Sequence, residues 1–125
     1  MKKKIISSSK FPVSGPYSAA VEANDMVFIS GQLPVNPATG EMIHDIREAT
    51  RQILMNIQAI LKKTDLDLSH IAKTTIFLKD IKDFPAVNEV YAEFFPQDPP
   101  ARSTVEANVL PKGALIEIEA IAARE

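Results

Sequence analysis

With 125 residues, 46% of them hydrophobic and 24% charged, the chain has enough apolar mass for one core and too little for two, which excludes disorder and low-complexity architectures. Its 14 Lys and Arg against 16 Asp and Glu give a net charge of −2, so no overall field attracts a polyanion and nucleic-acid binding is disfavoured. The absence of cysteine removes disulfides, thiolate catalysis and Cys-ligated zinc, and makes the cytoplasm the simplest location.

Lys2, Lys3 and Lys4 resemble the charged start of a signal peptide, but only Ile5 and Ile6 follow before Ser7, so no apolar segment completes one. No run approaches the ~20 apolar residues of a membrane helix. A short strand is expected at 4–7, then an irregular stretch through Phe11-Pro12-Val13-Ser14-Gly15-Pro16. Strands at 18–22 and 26–33 flank Ala23-Asn24-Asp25, a hairpin turn in residues that tolerate left-handed backbone. Turn formers from Pro34 to Gly40 interrupt the chain.

From Asp45 to about Lys63, Ile46, Ala49, Ile53, Ile57, Ile60 and Leu61 recur at three- and four-residue steps, which predicts an amphipathic helix. A strand over 72–78 follows. A second helix begins with Asp83 as cap and Pro85 in its first turn, buries Ala86, Val90, Tyr91 and Phe94, and stops at Pro96. Strands over 103–109 and 114–123 complete a single domain over 1–125, an α+β layer with two helices on one face of a mixed sheet. Several strands are apolar on both parities, so the second face should be covered by other copies of the chain.

His44 and His70 stand at no ligand spacing and read as ordinary polar residues, so no metal is expected; no nucleophile elbow or phosphate loop occurs. Arg102 follows Pro99-Pro100-Ala101, whose fixed φ angles restrict its backbone, and its guanidinium could grip a carboxylate by two parallel hydrogen bonds. A surface ion pair is the simpler account of that residue taken alone. In Leu115-Ile-Glu-Ile-Glu-Ala120 both Glu117 and Glu119 face away from the isoleucines. A solvated edge is the simpler account, although a carboxylate among apolar neighbours gains a raised pKa suited to a general base. Tyr17 places a phenol where a loop meets a strand, as packed aromatic or site residue.

Gly15-Pro-Tyr-Ser18, Phe28-Ile-Ser-Gly-Gln32, Asn36-Pro-Ala-Thr-Gly-Glu41, Asn88-Glu-Val-Tyr91, Pro100-Ala-Arg-Ser103 and Ile116-Glu-Ile-Glu-Ala-Ile-Ala122 together resemble the RidA/YjgF family of reactive-intermediate deaminases. The resemblance implies a chorismate-mutase-like fold of about six strands, assembled as a homotrimer with sites between subunits. It also implies cofactor-free hydrolysis of enamine and imine intermediates, such as 2-aminoacrylate, 2-iminopropanoate and 2-iminobutanoate, to 2-oxo acids and ammonia. By the same resemblance Arg102 binds the substrate carboxylate, Glu117 orients water, and Tyr17, Ser30, Gly31 and Asn88 belong to the substrate-binding pocket. Thr104 joins them where many bacterial members carry Cys, which removes any thiol-dependent step. Two alternatives stay open: ribonuclease activity or translation inhibition, and a non-catalytic metabolite-binding regulatory trimer.

Overall fold

The computed structural model describes residues 2–8 and 11–124. Strand β1 (Lys4–Ile6) precedes the hairpin of β2 (Ala20–Ala23) and β3 (Met26–Gln32), whose turn residues Asn24 and Asp25 have φ of 50° and 61°. That left-handed pair matches the right-handed twist of two strands joined by a two-residue turn. Helix α1 (Ile46–Lys62) is capped by Asp45, whose carboxylate accepts the Glu48 N–H at 3.0 Å. Then come β4 (Ile71–Leu78), α2 (Phe84–Phe94), β5 (Ala101–Glu106) and β6 (Ile116–Ala123).

The six strands lie in the order β1-β2-β3-β6-β4-β5, antiparallel except for the parallel pair β4 and β5. Both helices cover one face, where Val27, Ile76, Leu78, Ile116 and Ile118 meet Ile53, Ile57, Ile60 and Val87 with essentially no exposure. Each such side chain contributes about 1.5–3 kcal/mol on leaving water, so this layer is the main source of stability. Arg124 clamps the end of β6, donating to the Glu22 carboxylate at 2.9 and 3.2 Å and to the Thr64 carbonyl at 3.0 Å.

Three local expectations are corrected. Asp83 occupies the cap position of α2 but makes no side-chain cap bond. Asp80 does that work one turn earlier, accepting from the Lys82 N–H at 2.9 Å and opening a 3-10 turn (Ile81–Asp83) that runs into the helix. Strand β5 begins at Ala101 and stops at Glu106 rather than Val109, because its one neighbour, β4, ends at Leu78. Strand β6 starts at Ile116 rather than 114, since a 3-10 turn at Pro111–Gly113, with Lys112 at φ 56°, delays its pairing.

The opposite face of the sheet carries neither helix. On it Ile5, Val21, Phe28 and Ile121 form a continuous cross-strand row, with Phe77 and Val105 paired further along. Ile5, Phe28 and Val105 are 50%, 42% and 46% exposed, more contiguous apolar surface than isolated exposed residues would give. Among the described residues no helix is long and apolar enough to cross a membrane.

Candidate active site

Two clusters of polar side chains stand out, one on each face of the sheet. Strand β5 runs beside β4 with Arg102 opposite Thr74, which turns the arginine toward the helices. On α2, Phe84, Asn88 and Tyr91 share a face by their spacing of four and three. The Arg102 guanidinium lies over the Tyr91 ring at 4.8 Å and the Phe84 ring at 5.4 Å from their centroids. Tyr91 is itself fixed, its hydroxyl 2.7 Å from Thr74 Oγ1 and its ring 4.6 Å from that of Phe95. Burial pushes the Tyr91 phenol above its usual pKa, only partly opposed by the Thr74 hydrogen bond and the Arg102 charge.

This aromatic shelf lies under the guanidinium, and a cation over two rings gains roughly 0.5–2 kcal/mol. Among the described residues Arg102 has no carboxylate partner, so the surface ion pair that its sequence allows is not formed. Nearby on the same faces of α2 and β5, Asn88 Oδ1 and Thr104 Oγ1 are enclosed without a hydrogen-bond partner. Such orphaned groups cost about 1–3 kcal/mol each, a penalty that stability alone would remove.

Glu117 heads the second cluster. It pairs across to Phe77 on the sheet face without helices, as does Glu119 to Thr75, so the alternation expected from the isoleucines holds. Strand β3 has an irregularity here: Ile29 faces Ala120 and Gln32 faces Ile118, which leaves Ser30 and Gly31 opposite a single residue. That brings the Gly31 backbone against the Glu117 side chain. A Cβ at Gly31 would overlap the carboxylate oxygen and lie 2.8 Å from its Cδ, so a larger residue here would displace the flexible end of Glu117. Ser30 is anchored instead, its hydroxyl donating to the Ser18 carbonyl at 2.6 Å and its N–H to Ala19 at 2.9 Å.

Burial, with Glu119 adding like-charge repulsion, raises the Glu117 carboxyl above its usual range. The carboxylate opens into a pocket of about 380 Å³ that Tyr17 and Gly31 also line. Gly31→Ala is expected to push the carboxylate aside, lowering kcat about a hundredfold with little change in melting temperature; steady-state kinetics beside a thermal melt check it.

The structure therefore brings Arg102, Asn88 and Thr104 together on one face, and Glu117, Tyr17 and Gly31 together on the other, with Ser30 bracing the bulge. It does not bring Arg102 to Glu117 within one chain: their side chains leave the sheet on opposite faces. Phe84 and the stacking role of Tyr91 were missed by sequence reasoning, although their helical spacing with Asn88 was a usable signal. His70 has a structural task, its Nδ1 accepting the Asp67 N–H at 3.1 Å in a capping box. Among the described residues no group of three or more His, Asp or Glu is placed to hold a metal ion.

Comparison with known proteins bears on this arrangement. A family described as Endoribonuclease L-PSP matches residues 7–124. The chain belongs to this family, the RidA/YjgF group. It is 47% identical over 124 residues to the chloroplastic Reactive Intermediate Deaminase A of Arabidopsis thaliana, covering 98% of this chain and 66% of that one. The structure of the E. coli YjgF gene product superposes with a TM-score of 0.92 at 45% identity, covering 98% and 99% of the two chains. E. coli TdcF, solved with bound serine, gives 0.92 at 43% identity over 98% and 99%. The α+β sheet with its two helices is thus the architecture of RidA/YjgF proteins, and the Pro100–Ser103 and Ile116–Ala122 blocks of this RidA/YjgF chain are the ones that carry Arg102 and Glu117.

Proposed function

We propose that the chain hydrolyses 2-imino acids, such as 2-iminopropanoate and 2-iminobutanoate, and their enamine tautomers to 2-oxo acids and ammonia, as a cytoplasmic homotrimer. One observation carries this reading: a guanidinium with no carboxylate partner among the described residues and a carboxyl of raised pKa face opposite ways in one chain, and the carboxyl shares its sheet face with an uncovered apolar row. Packing that face against a second copy covers the row and sets Glu117 of one subunit beside Arg102 of its neighbour. The serine bound by E. coli TdcF has the carboxylate and 2-nitrogen of such a substrate.

Arg102 then holds the substrate carboxylate, with Asn88 and Thr104 beside it. Glu117 takes a proton from water as the water oxygen bonds to the imine carbon and passes that proton to the nitrogen, which gives a carbinolamine and restores the carboxylate. The carboxylate then takes the hydroxyl proton and delivers it to the amine as the C–N bond breaks, so that ammonia leaves with the 2-oxo acid. Water, a base and an anion-binding guanidinium supply this chemistry without a cofactor, and fixing the carboxylate and water together lowers the entropic part of the barrier.

The test couples a purified serine or threonine dehydratase to this protein and follows 2-oxo acid formation. Acceleration above the spontaneous rate, lost in Arg102→Ala, supports the reading; no acceleration rejects it. The family's description favours a second reading, endoribonuclease activity. Cleavage of RNA by the purified chain that survives Arg102→Ala would establish that reading, against a net charge of −2 that does nothing to attract RNA.

A further inference from the structure

We propose that Thr74, buried out of reach of any substrate, is a positioning residue for imine hydrolysis: its hydroxyl fixes the Tyr91 ring, and the ring fixes the Arg102 guanidinium. This rests on the deaminase reading and adds the element that aims its anion-binding group.

Thr74, Ile76 and Leu78 form the helix-facing side of β4, all without exposure, and lie across from Ala120, Ile118 and Ile116 on β6. A hydroxyl in that stripe costs stability unless it is paired, and valine would fill the same space without one. The other buried threonines, Thr50 and Thr64, turn their hydroxyls back to α1 carbonyls four and three residues earlier, at 2.8 and 2.7 Å. Local bonds of that kind satisfy a hydroxyl and link no two elements. Thr74 instead meets the Tyr91 hydroxyl at 2.7 Å, which joins β4 to α2.

Three contacts then close on one another within one chain. The register of β4 with β5 sets Thr74 beside Arg102, the Thr74 hydroxyl holds the tip of Tyr91, and the Tyr91 ring lies 4.8 Å from the guanidinium. Dispersion contact with Phe95, tilted at 38°, has no preferred direction along the ring, whereas a hydrogen bond at its tip does. A guanidinium on a displaced ring presents its donors at a changed angle. Misplacement near 1 Å can cost about a hundredfold; with Phe84 and Phe95 still in place, loss of the hydroxyl pair should cost about tenfold.

Imine generated from alanine by an amino-acid oxidase, with semicarbazide competing for it, gives relative kcat/KM values, and calorimetric titration with pyruvate gives the affinity for the product. Thr74→Val and Tyr91→Phe should each lower kcat/KM about tenfold. The substrate carboxylate keeps its charge through the reaction, so the Kd for pyruvate should rise by the same factor. The double variant leaves neither hydroxyl orphaned and should melt close to the unaltered protein, yet remain about tenfold impaired. Thr74→Ser should show the reverse, a lower melting temperature for want of a methyl group with activity kept within threefold. Recovery of activity with stability in the double variant overturns the positioning role, as does full activity in the single variants or an unchanged Kd for pyruvate. Each of those results leaves the deaminase reading intact; failure of the unaltered protein to hydrolyse the imine overturns both.

Discussion

Replacing Arg102 with alanine is expected to lower kcat/KM for imine hydrolysis by about two to four decades, and Arg102→Lys should recover little of the loss. Two charge-assisted hydrogen bonds at about 1.5–3 kcal/mol each, with one decade per ~1.4 kcal/mol, set that range. Lysine fails for a structural reason: its ammonium has no planar face to lie over Tyr91 and Phe84, where the guanidinium now rests at 4.8 and 5.4 Å, and it cannot offer a parallel pair of donors. Steady-state kinetics on 2-iminopropanoate decide the matter, and near-normal turnover in the alanine variant would remove the anchoring role.

Glu117→Gln should lose roughly 10² to 10⁴ in kcat, and Glu119→Gln much less. Only Glu117 lies against Gly31 in the pocket; Glu119, paired across to Thr75, is exposed. A base must be ionised to act, so activity falls as pH drops through the Glu117 value, and its raised position moves that acid limb above the usual carboxylate range of ~4.3. Stability runs the other way. The folded state binds this proton more tightly than the unfolded chain, so the contribution is complete below the unfolded value and disappears as pH rises through the folded one. Glu117→Gln should therefore stabilise the dissociated chain at pH 7 and leave it unaltered near pH 4, whereas in the trimer the neighbour's guanidinium favours the ionised carboxylate and opposes that gain. A dissociated variant less stable than the unaltered chain at pH 7 would contradict this account.

The two variants also report on each other. If Arg102 of one subunit serves Glu117 of the next, refolding Arg102→Ala and Glu117→Gln chains together at equal concentration makes one sound site in every mixed trimer. About a quarter of normal activity should return from two nearly inactive preparations. Return of none would mean that both groups act from the same copy, or not together.

Much of this was legible in the residues. The three- and four-residue spacing from Ile46 to Leu61 found α1, and the strict alternation of Ile116, Glu117, Ile118 and Glu119 found the face of each carboxylate, because a strand buried on one side allows a single register. Asn24-Asp25 found the hairpin. The facing of Arg102 was not legible. Ala101 to Glu106 lies at the edge of the sheet with mostly small or polar side chains on both parities, so hydropathy does not say which ones meet α2. The contact of Gly31 with Glu117 depends on a one-residue irregularity in β3, and the pocket is assembled from loops far apart in the chain, which no local pattern encodes. Asp83 stands at the cap position of α2 as its sequence suggests, and only the side-chain cap bond moves, to Asp80 at the head of the preceding 3-10 turn.

If Arg102 and Glu117 act as proposed, their opposed directions leave a solitary chain chemically silent, however well folded. Dilution below the concentration at which copies associate should extinguish turnover while circular dichroism stays unchanged, so specific activity becomes a gauge of assembly rather than of folding.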